Sequence, residues 1–360
     1  MGASIEAGNR WIRITRESLF FVGVLLVLLE IFCRVMGLGR PLEALRVDTV
    51  IPGPEGVMER TDFGYIPQAT VVSEYASDPR GYFGPGNRVS HGHNALGLRD
   101  ELHPVAKPEG ELRILGLGDS YLWGQGVRTE DLLLTRLEVE LEGDFPGTLQ
   151  TVNTAVPSMN TWWQLASLKD QGLAYAPDLV TLFFVANDVE DQVWDQGQQV
   201  EAFRAYTLMA FEEDALSRWS RLWRFVRGQY IRFVQGRRFI EDRMGHFQPD
   251  SDQWRSCQTA LLQMKERLDQ EDIPFLLVIL PIFFQLDDDY PFQSIHDVVS
   301  EYATSIGIEV LDLRSAFPGY SGPELWVHPT DHHPNEIAHR LAAKAVADHI
   351  REHPALLGGD

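Results

Sequence analysis

The chain has 360 residues, 44% of them apolar and 23% charged, the composition of a globular protein with one large domain plus extensions, or of two domains. Its net charge of −21 excludes nucleic acid as a general partner, because holding a phosphate backbone needs a cationic surface. Its two cysteines, Cys33 in an apolar segment and Cys257 far away in a polar one, suggest no intramolecular disulfide and say nothing of the redox compartment.

In chain order, residues 19–38 form a mostly apolar stretch of about the length a bilayer requires, preceded by Arg10, Arg13 and Arg16. Glu30 interrupts it and would cost about 2.5–3.5 kcal/mol at mid-membrane. It lies off-centre, however, and Arg34 one turn later can pair with it. No small-x-small cleavage site follows Leu29, and Phe32 before Cys33 spoils a lipoprotein site. Glu6 stands where a myristoylation signal has Ser or Thr. A buried amphipathic helix is the competing reading, since 19–29 alone is short for a span. The expectation is an uncleaved signal anchor over 19–38, with residues 1–18 as a cytoplasmic tail and the acidic bulk on the extracytoplasmic, periplasmic side. The cationic residues are balanced across the segment and orient it only weakly.

Residues 39–67, rich in Pro, Gly and charge, predict a linker. Residues 68–111 predict an irregular extension of loops and short edge strands packed on the main domain. It carries Asn94-x-x-Gly97-x-Arg99-Asp100. From Leu112 the pattern alternates. Apolar runs at 113–118, 150–156, 179–185, 275–281 and 309–313 are interleaved with helical patterns at 130–141, 161–173, 252–268, 293–306 and 335–350. Runs apolar on both faces and separated by helices predict a parallel sheet covered by helices on both sides, a domain spanning 112–355. Asp331 and Asn335 offer caps for the last helix.

A helical insertion is predicted at 202–249. Within it, Trp219, Leu222, Trp223, Val226, Tyr230 and Phe233 share one helical face, while Arg218, Arg221, Arg224, Arg227 and Arg232 share the other. One reading is a helix lying on a membrane surface. The other is a lid that packs its Trp stripe on the domain and leaves the arginines solvated or paired.

The chemistry gathers where apolar runs end. Residues 113–118 lead into Gly118-Asp119-Ser120, which sets a hydroxyl at the carboxyl end of a strand, the edge at which open α/β sheets bind ligands. The second run ends in the Asn153–Ser158 turn, the third in Asn187-Asp188, and Asp331-His332-His333-Pro334 precedes the last helix. A serine needs a base to take its proton, and the base works best with a third group fixing its tautomer. His333 with Asp331 can be that pair. The Asn187 amide and the backbone N–H groups of Ser120 and Ser158 are candidate donors to an oxyanion. No spacing among His328, Asp331, His332, His333 and His339 matches a metal-ligand pattern. Neither a dinucleotide fingerprint nor a P-loop is present, because Tyr121 occupies the third glycine position and no Gly-Lys-Ser/Thr follows.

On these four blocks, Gly118-Asp119-Ser120, Asn153 to Ser158, Asn187-Asp188 and Asp331 to Pro334, residues 112–350 resemble the SGNH hydrolases, the GDSL-type esterases and lipases. The resemblance implies a three-layer αβα, flavodoxin-like parallel sheet. It implies Ser120 as nucleophile, His333 as base, Asp331 orienting His333, and an oxyanion hole from Ser120, Ser158 and Asn187, with no metal and no cofactor. The Asn94-to-Asp100 stretch and the Glu30/Arg34 segment look like membrane-anchored bacterial members, some of which handle O-acetyl groups on cell-surface polysaccharides. Three positions depart from the pattern. Ser158 and Val185 replace glycines, and the carboxylate stands two residues before His333 rather than three.

The expected protein is a membrane-anchored, extracytoplasmic serine esterase or O-acyltransferase that works through an acyl-serine. Its expected partner is an ester substrate, an acetylated polysaccharide, and not nucleic acid. The membrane is met through residues 19–38 and, in the surface-helix reading, through 217–234. The rivals are a lipase acting on membrane lipid and a catalytically silent glycan-binding scaffold.

Overall fold

The computed structural model describes residues 2–39, 47–51, 67–190, 215–286 and 289–358. The chain divides into two compact units, residues 1–43 with 193–239 and residues 44–192 with 240–360.

The smaller unit contains helix α1 (Gly2–Val35) and the first part of helix α5 (Arg221–His246). Within α1, the 19 residues Glu17–Val35 are long and apolar enough to cross a membrane, and they are largely unburied. Residues 202–214 of the predicted insertion lie outside the described residues. Trp219, 82% exposed, sits in the turn before α5, and Trp223, Val226, Tyr230 and Phe233 of the same stripe are exposed too.

In the larger unit, β1 (Val47–Ile51), β2 (Thr70–Glu74) and β3 (Arg88–Gly92) form an antiparallel sheet, with Val71 opposite Val50 on one side and His91 on the other. Strand β1 corrects the reading of 39–67 as linker throughout. Its Val-Asp-Thr-Val-Ile run has strand-forming residues at four of five positions, but the Pro and Gly that follow hid it. The rest of that stretch, 40–46 and 52–66, is outside the described residues.

The main sheet has the order β5-β4-β6-β7-β8, with β4 (Glu111–Gly118), β5 (Thr148–Asn153), β6 (Leu179–Phe184), β7 (Phe275–Ile279) and β8 (Glu309–Asp312) all parallel. This is the doubly wound, flavodoxin-like order. Every residue of β6 and β7 is buried, as a strand covered on both faces must be. Helices α3 (Leu133–Glu140) and α8 (Glu336–Glu352) pack against each other, and α4 (Thr161–Asp170) packs on α6 (Asp252–Asp269). One continuous core joins Leu133, Leu134 and Leu137 of α3, Ala342, Val346 and Ile350 of α8, and Ile114, Leu276 and Val278 of the sheet. Helix α7 (Gln293–Ser305) leads into β8, and a hairpin of β9 (Trp326–His328) and β10 (Asp331–Pro334) precedes α8. Asn335 caps α8 by accepting from Ile337 N and Ala338 N at 3.0 and 3.1 Å. Asp331, the other predicted cap, is engaged with His333 instead.

Candidate active site

Strand β4 runs into the short helix α2 (Ser120–Trp123) with no room for side chains at the join. A Cβ on Gly118 would lie 2.8 Å from Leu122 Cβ and 3.5 Å from Phe183 Cβ. Asp119 caps α2, its Oδ1 accepting from Tyr121 N at 2.9 Å, and Gly124 ends it at φ +84°, where a side chain would be strained. Ser120 is thereby set just past the carboxyl end of β4. Between β4 and β6 the strand order reverses, and the crevice at such a switch point is where doubly wound sheets bind ligands.

His333 Nε2 lies 2.9 Å from Ser120 Oγ, and His333 Nδ1 lies 2.5 Å from Asp331 Oδ1. The Asp-x-His spacing that departs from the family pattern has a simple geometric basis. Both residues belong to β10, where side chains two apart share a face. The residue between them, His332, stacks on the Trp326 ring with centroids 3.8 Å apart. Asp331 is buried, and its second oxygen accepts from the Tyr75 hydroxyl at 3.0 Å. Tyr75, itself buried and stacked on Phe83, follows β2, so the extension sheet reaches the carboxylate of the site. Sequence reading missed Tyr75, because nothing local to it signals a partner 256 residues away.

The other predicted residues converge on the same edge. Asn187, after β6, donates from Nδ2 to Asp119 Oδ2 at 2.7 Å, which leaves one N–H of its amide for another acceptor. Burial raises the pKa of Asp119, and the hydrogen bonds from Asn187 and Tyr121 offset this only in part. Asp188 beside it shapes the turn. Its Oδ2 accepts from Val185 N at 3.0 Å, and its carbonyl accepts from Thr161 N at 2.9 Å. Burial, reinforced by the charge of Asp119, holds its pKa well above the carboxylate range.

Ser158 occupies the third position of the turn from Val156 to Met159, closed by Met159 N donating to Val156 O at 3.1 Å. Its φ is +67°, and Pro157 precedes it. This is the pattern of a type II turn, whose third position favours glycine. The serine therefore keeps its N–H in the conformation a glycine would take, at a cost in strain.

The motif at Asn94 has a structural explanation. Asn94 Oδ1 accepts from Leu96 N and Leu98 N, turning the chain so that Arg99 enters the interior. There, fully buried, Arg99 donates to the carbonyls of Trp123, Gly124 and Val127, the loop that follows the nucleophile helix. Asp100 accepts from Asn153 N at 2.8 Å and from His103 at 3.1 Å. The extension thus braces the loop after β4 and the end of β5.

The family model described as GDSL-like lipase/acylhydrolase matches residues 117–341, more than half of the chain. The chain belongs to that family. This acylhydrolase is a hydrolase of ester bonds. Among solved structures it is similar to the lipase/acylhydrolase from Enterococcus faecalis (15% identity, 67% of this chain and 96% of that one, TM-score 0.41). It is also similar to the acetyl xylan esterase AlAXEase (16%, 66% and 100%, TM-score 0.41). A third is a two-domain esterase active on acetylated mannans (14%, 69% and 51%, TM-score 0.41). No curated protein matches the acylhydrolase.

A cavity of about 980 Å³ near the hairpin is lined by Phe284, Gln293, Arg314, Tyr320 and Trp326 among others, but not by Ser120 or His333. Chemistry, not cavity size, locates the site. Among the described residues, two groups could hold a metal ion, Glu309 with His349 and His353, and Glu190 with Asp242 and His246. Neither includes Ser120, Asp331 or His333. His339, counted among the sequence's histidines of interest, is buried and accepts from Leu133 N at 2.9 Å, tying α3 to α8.

Proposed function

We propose that the acylhydrolase works through an acyl-serine, with Ser120 as nucleophile, His333 as general base and then general acid, and Asp331 orienting His333. The observation that carries this reading is the unbroken hydrogen-bonded chain from Ser120 Oγ through His333 to Asp331. Ser120 Oγ attacks the ester carbonyl carbon as its proton passes to His333 Nε2. The carbonyl π electrons move onto oxygen. The backbone N–H groups of Ser120 and Ser158 and the second N–H of Asn187 are the donors proposed for this oxyanion, each worth about 2.7–4 kcal/mol in the transition state. Collapse expels the alcohol, which takes the proton from His333 and leaves acyl-Ser120. A water, or a sugar hydroxyl, then gives its proton to His333 and attacks the acyl carbon. Ser120 leaves with that proton, and the product is a carboxylic acid or a new ester.

In this reading helix Glu17–Val35 anchors the chain in a membrane with the catalytic unit on the extracytoplasmic side, and the substrate is an O-acetylated glycan. A second reading, ester cleavage on membrane lipid, is favoured by the exposed Trp and Phe stripe of residues 219–233. The test is turnover of a p-nitrophenyl ester series by the full chain in detergent, beside Ser120→Ala and His333→Ala. Each substitution is expected to lower kcat by roughly 10⁴-fold or more. Turnover confined to acetyl supports the glycan reading, and a preference for long chains supports the lipid one. Wild-type rates in Ser120→Ala would end the acyl-serine proposal.

A further inference from the structure

Residues 217–234 contain five arginines and no acidic residue, in a chain of net charge −21. A surface helix of a globular protein turns its apolar stripe inward. Helix α5 does the reverse. Trp219, Trp223, Val226, Tyr230 and Phe233 recur every three or four residues and lie on the outside, Tyr230 at 68% and Phe233 at 65% exposure. Arg224, by contrast, turns in and donates to the carbonyls of Gly39 and Ser217.

The start of this helix is fastened to α1. The Glu30 carboxylate accepts from Arg221 N at 3.0 Å, Leu222 N at 2.9 Å and Ser220 Oγ at 2.8 Å, and Arg34 Nε donates to it at 2.8 Å. Arg34 also donates to the Trp219 carbonyl at 2.9 Å. Glu30 is therefore the cap of another helix, satisfying N–H groups that would otherwise lack partners and setting a negative charge at the positive end of the helix dipole. That accounts for an acidic residue in an apolar segment, and it joins two exposed apolar surfaces into one.

We propose that the 219–233 stripe docks on a phospholipid bilayer, the same membrane that α1 enters. The proposal rests on α1 being an anchor. The chemistry fits the interfacial layer, where Trp and Tyr settle between acyl chains and headgroups and arginines such as the exposed Arg218 meet lipid phosphate. Continuity with α1, outward-facing and apolar along the length of a span, identifies the occupant as lipid and not a protein groove.

The experiment reconstitutes the full chain in mixed phosphatidylcholine and phosphatidylglycerol vesicles with an environment-sensitive fluorophore on Phe233→Cys, and for comparison on Leu102→Cys, an exposed position of the larger unit. Cys33 and Cys257 are buried. The probe at 233 is expected to shift to the blue and to be quenched several-fold more by lipid-borne nitroxide than the probe at 102. Glu30→Ala is expected to reduce that quenching while the chain still floats with vesicles. A probe at 233 as accessible to aqueous iodide as the one at 102, in chain that floats with vesicles, would overturn the inference and leave the anchor standing. Chain that does not float would overturn both. Turnover of p-nitrophenyl acetate in the same sample reports on the acyl-serine proposal independently.

Discussion

Helices α8 and α5 have similar amphipathic patterns and opposite fates. Helix α8 buries Ala338, Ala342, Val346 and Ile350 against the sheet and α3, and is capped by a residue of its own sequence, Asn335. Helix α5 shows its stripe to the outside, and its cap comes from Glu30, 191 residues earlier. A hydrophobic stripe says that a helix has a preferred face. What meets that face is decided by the rest of the chain: the sheet and α3 cover that of α8, and that of α5 is left exposed.

The comparison breaks first where burial differs most. Ile350→Ala should destabilise the larger unit by about 2–5 kcal/mol, the cost of a cavity in a packed core, whereas Phe233→Ala in detergent should stay within about 0.5 kcal/mol. Equal losses in denaturant melts of the two variants would show that α5 is a core helix after all. The caps come next. Asn335→Ala should cost about 1 kcal/mol by the same measurement, while Glu30→Ala should act on the smaller unit and leave p-nitrophenyl acetate turnover unchanged. Ser158→Gly should gain about 1 kcal/mol, because glycine adopts the positive φ without strain, and it should retain turnover, since the N–H is kept. The smallest effect concerns how the extension is tied down. The hydrogen bond to Asp100 raises the pKa of His103. Its stabilisation is therefore fully present below about pH 6.5, the unfolded value, and is lost as pH rises through the folded one. Wild type should lose more stability than His103→Gln between pH 6 and pH 8.

The sheet was legible because β6 and β7 are buried at every residue and β4 from Arg113 onward, so that their apolar runs stand out from the helical patterns between them. Four of the five predicted helices lie within a few residues of observed ones, and the region predicted at 130–141 is a short 3-10 turn followed by α3. The blocks around Ser120, Asn187 and His333 were legible because the chemistry requires particular residue types at strand ends. Three things were hidden. Strand β1 is a five-residue run, and its partner β2 was foreseen only as an unplaced short edge strand within 68–111. Tyr75 and Arg99 act across long sequence separations, so their partners emerge only when the extension folds onto the site. Glu30 read as a cost within an apolar helix, because the N-terminus it caps belongs to a distant segment.

The central claim is that Ser120 is activated by His333 and Asp331. It is tested most directly by treating the full chain with a serine-reactive phosphonate and locating the adduct by peptide mass. A single adduct on Ser120, absent from Ser120→Ala and strongly slowed in His333→Ala, is the predicted result. An unmodified Ser120 in folded protein, or labelling at Ser120 that proceeds equally fast without His333, would contradict the account.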